Sequence, residues 1–246
     1  MDASILAAEI CLRDAWPPVE HEEVSGWQLR AISGGYNRAN SVWPGVFTEV
    51  FSLDEAIDRA EAFYRKRNLP PRFQMLRTAE PADLDEALAR RGYASEIECS
   101  VLQKPVTPVA MPAEVAFGNQ PTPGWLDLYV ANQPPQRAAE YRYILVRVPP
   151  SRAFLTAKRA GEAVATALAV RVGTDVAVDC VLSHPDHRRA GGATAVMRAA
   201  EAWAAGQGAR RLILSVVHDN AAAMGLYRKL GYGPLSGYHY RVLRAG

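Results

Sequence analysis

The 246-residue sequence has only three cysteines, Cys11, Cys99 and Cys180, and no CxxC pair among them. Their wide spacing argues against a disulfide scaffold and a structural zinc site, and fits a reducing compartment. No apolar run approaches the roughly 20 residues that a membrane span needs. The start, Met1-Asp2 with Glu9 interrupting its apolar stretch, lacks the basic and apolar regions of a secretory signal. The expectation is a cytoplasmic chain with no membrane partner. Long like-charge runs are missing too: 28 basic and 26 acidic residues leave a net charge of +2, which offers no general nucleic-acid surface. What is present is a globular composition, long enough for one large domain or two small ones.

An internal repeat favours two. Laid without gaps, the segment from Arg72 matches the one from Arg211, 139 positions later. RFQML, EPADLDEALARRGY and ASEIECSVL read as strand, helix and strand, and so do RLILSVV, HDNAAAMGLYRKLGY and GPLSGYHYRVL. Arg91-Gly92-Tyr93 and Leu230-Gly231-Tyr232 then end equivalent helices. Between the copies, KPVTPVAMP (104–112) resists helix formation and reads as an extended connector. The expected halves are therefore 1–109 and 110–246.

The second half continues with a strand-like EVAFG (114–118) and helical material around Trp125–Asn132 and Gln136–Val146. Three β-leaning runs follow, 152–161, 162–172 and 175–183, as an antiparallel meander. The last leads through HPDHRRAGGATAV into an amphipathic helix. A strand that ends in a glycine-rich loop at a helix N-terminus is an anion cradle. The free N–H groups of the first turn and the helix dipole favour negative charge, and Gly191 and Gly192 let the backbone approach closely. Arg188 and Arg189 add charge and Thr194 a hydroxyl, so a diphosphate suits the loop.

Arg188-Arg189-Ala190-Gly191-Gly192-Ala193 resembles the R/Q-x-x-G-x-G/A loop of the GNAT acetyltransferase superfamily, and Asn220 to Tyr232 resembles its downstream Asn/Tyr motif. The resemblance covers about residues 112–246 and implies acetyl-CoA as co-substrate, with no metal. It implies an α/β fold of two tandem domains, each a mostly antiparallel sheet flanked by helices, the first without a CoA loop. By the same resemblance, the backbone of Val181, Leu182 and Ser183 pairs with the pantetheine arm. Arg188 to Thr194 hold the pyrophosphate, Asn220 contacts the CoA chain, and Tyr227 serves the departing thiolate.

An N-acetyltransferase also needs a base when the acceptor arrives as ammonium. Of the two strand positions that carry bases in some relatives, Ala177 and Asp179, only Asp179 titrates. Strict alternation puts Ala177, Asp179, Val181 and Ser183 on one face and Val178, Cys180 and Leu182 on the other. Partial burial would make Asp179 a base, whereas an arginine partner would make it structural. His184 and His187 belong to the phosphate approach, His218 and His239 are rival bases, and Cys180 reads as core.

In the first half, residues 26–45 read as two strands about a Gly34-Gly35 turn, before a helix over Leu53–Arg67. Glu49, Asp54 and Glu55 would repel a pyrophosphate there. Tyr36, Asn37, Arg38 and Asn40 read either as a solvated hairpin tip or, less favoured, as part of an acceptor site. The partner expected is a small-molecule amine, on a monomer or homodimer. A non-catalytic CoA-thioester sensor and an enzyme acting on protein amines are the alternatives.

Overall fold

The computed structural model describes residues 2–32, 36–134, 138, 141 and 143–244. The Gly34-Gly35 turn, and most of the first part of the helix expected over 136–146, lie outside them.

Helix α1 (Ala3–Asp14) is capped by Asp2, whose side chain accepts from the Ser4 and Ile5 N–H groups. Then come β1 (Glu20–Val24), β2 (Trp27–Ala31), a 3₁₀ turn (Asn37–Ala39), β3 (Val42–Trp43), α2 (Leu53–Arg65), β4 (Arg72–Met75), α3 (Leu84–Arg90) and β5 (Ala94–Pro105). The second half gives β6 (Val115–Gly118), α4 (Pro123–Ala131), β7 (Arg152–Arg159), β8 (Glu162–Val172) and β9 (Asp175–Ser183). It ends with α5 (Gly192–Gly206), β10 (Arg211–Val217), α6 (Ala221–Lys229) and β11 (Gly233–Val242). Sequence patterning recovers most of these elements but not α1 or β1. Four of the five β1 residues are exposed, as suits an edge strand, so no apolar alternation marks it.

The strands make a single mixed sheet in the order β1-β2-β3-β4-β11-β5-β10-β9-β8-β7-β6. The α/β class and tandem duplication stand, but the two expected sheets are joined as one by an exchange of strands. The last strand of the chain, β11, inserts between β4 and β5 of the first half, while β5 pairs with β10 of the second. Cys99 on β5 pairs with Tyr238 on β11, and these residues are themselves 139 positions apart. The pseudo-twofold axis relating the halves therefore passes through this pair.

Burial follows the same plan. One core lies under α2 and α3 in the first half, around Trp27, Ile57, Phe73 and Leu88. A second lies between α5 and the second-half strands, around Val178, Val196 and Leu212. The third draws on both halves, joining Trp16, Ile32, Trp125, Tyr129, Phe154, Cys180 and Tyr238. It leaves no dry boundary at which the halves could part. Expressed alone, 110–246 should lack the β5 partner of both β10 and β11 and fail to give a folded monomer. Co-expressed with 1–109, it should elute as a one-to-one complex in size-exclusion chromatography. A folded monomeric 110–246 would show that the exchanged ladder is dispensable.

Candidate active site

Strands β9 and β10 run parallel and pair only over Asp175–Ala177 and Arg211–Ile213. Their closed end is pinned by a fork: Arg211 Nε and Nη2 donate to the Asp175 carboxylate at 3.0 and 2.9 Å. Beyond Ala177 the strands diverge. β9 stays paired with β8 as far as Ser183, so the side of Val181–Ser183 that faces β10 has main-chain groups free for an extended ligand.

The loop after β9 turns through a 3₁₀ segment, Pro185–His187, and enters α5 through two left-handed residues, Arg189 (φ 60°) and Gly191 (φ 89°). Gly191 is the N-cap of α5 and no side chain caps this end, so its first N–H groups are available to an anion. Open space surrounds a Cβ placed on Gly191, whereas one on Gly192 would lie 3.0 Å from Ala165 Cβ. Gly192 thus lets the helix start seat on β8. Arg188, Arg189 and Ala190 are exposed, Ala193 and Thr194 partly so. Asn220 caps α6 by accepting from Ala223 N–H at 3.1 Å, which leaves its amide N–H groups as donors.

The corresponding helix start in the first half is closed. Ser52 and Glu55 form a complete capping box at α2, with Asp54 and Glu55 in the first turn. At the 139-residue offset, Leu88 replaces Tyr227 and Pro81 replaces Asn220. The first copy holds neither motif.

Tyr227 is 7% exposed, and burial, with Asp179 as a second cause, pushes its phenol well above the ordinary range. It stays protonated at neutral pH. Asp179 is half-buried and forms an ion pair with Arg38, an arginine of the other half, so the burial that suits a base and the arginine partner expected of a structural carboxylate occur together. Its Oδ1 also accepts from the Cys180 N–H at 2.9 Å.

That second bond exists because β9 bulges. The register against β8 slips between Thr166 and Leu168, and Cys180 takes a left-handed φ of 55°. Strict alternation therefore fails at this point. Ala177, Cys180 and Leu182 share one core, while Val178 and Val181 face another. Cys180 does not point away from the side of Asp179, as alternation implied. It is buried, and burial pushes its thiol well up, which keeps it unreactive.

The polar loop of the first half is not a solvated tip. Arg38 is 7% exposed and Asn40 1%. Arg38 Nη2 donates to Tyr36 Oη at 2.7 Å and Nη1 to Ser215 Oγ at 3.4 Å. Asn40 Oδ1 accepts from the Ile32 N–H at 2.7 Å. Arginine and asparagine in a short polar stretch carry no sequence signal of burial, since the partner Asp179 lies 141 residues away. Of the other candidates, His184 and His187 lie together in the loop with ring centroids 5.3 Å apart and planes tilted by 56°. His218 meets Ser100 at 3.1 Å, and His239 is held by Asp85 at 2.9 Å. Among the described residues no His/Cys/Asp/Glu group could hold a metal ion, and no helix is long and apolar enough to cross a membrane.

A splayed parallel strand pair, an uncapped glycine-led helix start and a buried protonated tyrosine suit a thioester carried on a diphosphate. The family profile described as "Probable histone acetyltransferase Rv0428c C-terminal" matches residues 2–241. The chain belongs to the GNAT N-acetyltransferases. It is 31% identical over 244 residues to the "Uncharacterized N-acetyltransferase YobR" of Bacillus subtilis, covering 94% of this chain and 95% of that protein. It is 29% identical over 247 residues to the "Probable histone acetyltransferase Rv0428c" of Mycobacterium tuberculosis, covering 94% and 71%. A GCN5-related N-acetyltransferase from Kribbella flavida superposes with a TM-score of 0.72 at 18% identity, covering 100% of this chain and 96% of that one. A tandem GNAT protein from the clavulanic acid biosynthesis pathway gives 0.60 at 13%, covering 78% and 70%. The two halves of this acetyltransferase thus have a precedent in fold.

The Arg38–Asp179 pair should couple the halves energetically. Arg38→Met alone leaves a carboxylate without its cation and should cost about 2 kcal/mol, less than the 3–5 typical of a fully buried pair, because Asp179 keeps some solvent. The Arg38→Met, Asp179→Leu double variant should be more stable than Arg38→Met, measured as urea midpoints. Additive costs would show that the two side chains do not interact.

Proposed function

We propose that this acetyltransferase moves the acetyl group of acetyl-CoA onto a primary amine by direct attack in a ternary complex. The uncapped start of α5 behind left-handed Gly191 is the observation that carries the reading. The pyrophosphate would sit on the N–H groups of that first turn, with Arg188 and Arg189 beside it and Thr194 adding its hydroxyl. The pantetheine arm would pair with Val181, Leu182 and Ser183 in the gap that the divergence of β9 from β10 opens, and Asn220 would donate to it.

The chemistry asked of the side chains is then modest. The amine nitrogen forms a bond to the thioester carbonyl carbon, the C–S bond breaks, and its electron pair leaves on sulfur. Tyr227, kept protonated by burial, would donate a hydrogen bond or its proton to that sulfur. Asp179 would take the proton released by the amine, directly or through water. Holding donor and acceptor together supplies much of the acceleration, since effective molarity is worth about 7–11 kcal/mol. A small-molecule amine is the leading acceptor. A protein amine is the second reading, suggested by the name of the mycobacterial relative.

Calorimetry with acetyl-CoA tests the donor site. Wild type should bind in the micromolar range and Gly191→Glu should not, because a carboxylate then lies against the pyrophosphate position. Failure of wild type to bind would refute the donor assignment. With any amine that supports CoA release, Tyr227→Phe should lower kcat by about 100-fold or more and leave the acetyl-CoA Kd unchanged. An unaltered kcat would remove Tyr227 from the chemistry. Small amines and a lysine peptide belong in the same screen.

A further inference from the structure

We propose that the first half is a working part of the active site: Arg38 is a positioning residue that holds the Asp179 carboxylate aimed for proton acceptance from the acceptor amine. The inference rests on the acetyltransferase reading above and gives the copy without a CoA loop a role in the other copy's reaction.

The argument starts with the surroundings of the carboxylate. Tyr36 comes from the loop before the 3₁₀ turn, Tyr129 from α4, Tyr227 from α6 and Cys180 from β9 itself. Each interacts electrostatically with Asp179, and burial pushes each of them up, so all are neutral through the physiological range. Tyr238, from β11, faces Arg38 and is likewise neutral. A chain of aromatic rings links two of these phenols. Trp16 lies 5.1 Å from Tyr36, Tyr36 5.6 Å from Tyr141, and Tyr141 5.2 Å from Tyr129. A carboxylate beside neutral phenols needs a cation to offset the hydration it loses.

Arg38 is that cation. Burial opposes its charge, but Asp179 first and Tyr36 second hold the guanidinium firmly protonated. Its position is fixed from several sides. Nη2 reaches Asp179 and Tyr36, Nη1 reaches Ser215, and the ring of Trp16 lies 6.0 Å from the guanidinium carbon. Its own carbonyl accepts from Arg30 Nη1 at 3.2 Å and from Ser41 Oγ at 3.4 Å. Arg38 engages Oδ2 of Asp179, and the Cys180 N–H engages Oδ1. The carboxylate plane is thereby set by one group from each half. A carboxylate accepts up to about four hydrogen bonds, so lone pairs remain for the amine proton or a bridging water.

The experiment uses the full chain and an amine that wild type acetylates. Arg38→Gln keeps hydrogen-bonding capacity and removes the charge. It should lower kcat at least 10-fold and move the acid limb of kcat/KM upward by about 1–3 pH units, while acetyl-CoA binds with wild-type affinity. Arg38→Lys, with its charge restored, should return the acid limb to the wild-type position. Tyr36→Phe keeps the ring contacts and removes one acceptor of Arg38, so it should shift the limb in the same direction by less. The acceptor's own ionisation is common to every variant and cannot produce these differences. Gln and Phe variants with wild-type kcat and pH profile would overturn the inference, as would a Lys variant with the profile of Gln. A wild type that binds acetyl-CoA but acetylates no amine would count against the acetyltransferase reading itself.

Discussion

The pairing of β5 with β11 is the constraint on which the molecule depends. Two strands 139 residues apart in a duplicated sequence lie antiparallel across the axis that relates the copies, with Cys99 opposite Tyr238. Each half thereby completes the other's sheet, β11 beside β4 and β5 beside β10. An ordinary contact between domains buries some side chains and can come apart. An exchanged ladder carries main-chain hydrogen bonds as well, and breaking it would expose two new sheet edges. The relative position of the halves is therefore as firmly set as the register of a sheet.

That firmness is what allows a site to be assembled from distant segments. Asp179 and Arg38 come from opposite halves, and an ion pair contributes only where the geometry of both partners is held. Arg211 serves the same end at the foot of the cleft. It forks onto Asp175 and also reaches Ser4 of α1 and Gln103 of β5. The closed end of the β9–β10 divergence is thus locked to both halves. The bulge at Cys180 then spends one residue of β9 to supply the Asp179 carboxylate with a main-chain donor.

The sequence is legible where chemistry is local. Gly191, Gly192 and the arginines before them identify the loop because glycine, helix start and charge must be adjacent in the chain. Tyr227 and Asn220 are readable for the same reason, being positions on one short helix and its cap. Strand and helix identities across 72–105 and 211–242 also follow from local periodicity. Pairing is another matter. Alternation says that β5 and β11 are strands but contains nothing about their neighbours, so two separate sheets are the natural expectation. Asp179 could be singled out as a polar residue in an apolar strand, but its partner could not, since Arg38 sits among polar residues typical of a loop tip. The bulge defeats alternation because one left-handed residue reverses every face after it.

The first copy has no glycine loop, yet it holds a buried arginine that reaches Asp179 of the other. Two equivalent copies would each need an open helix start, an acid and a carboxylate at their own cleft. In this chain Leu88 and Pro81 replace the tyrosine and asparagine, and a capping box closes α2, so those positions are free to stabilise the fold. From the first copy Arg38, held by Tyr36, reaches Asp179 and Ser215 of the other. A buried ion pair that served only stability would be replaceable by apolar side chains at both positions, often at a gain. Under the proposed mechanism, a charge paired with the Asp179 carboxylate is better accounted for by what it does to the proton.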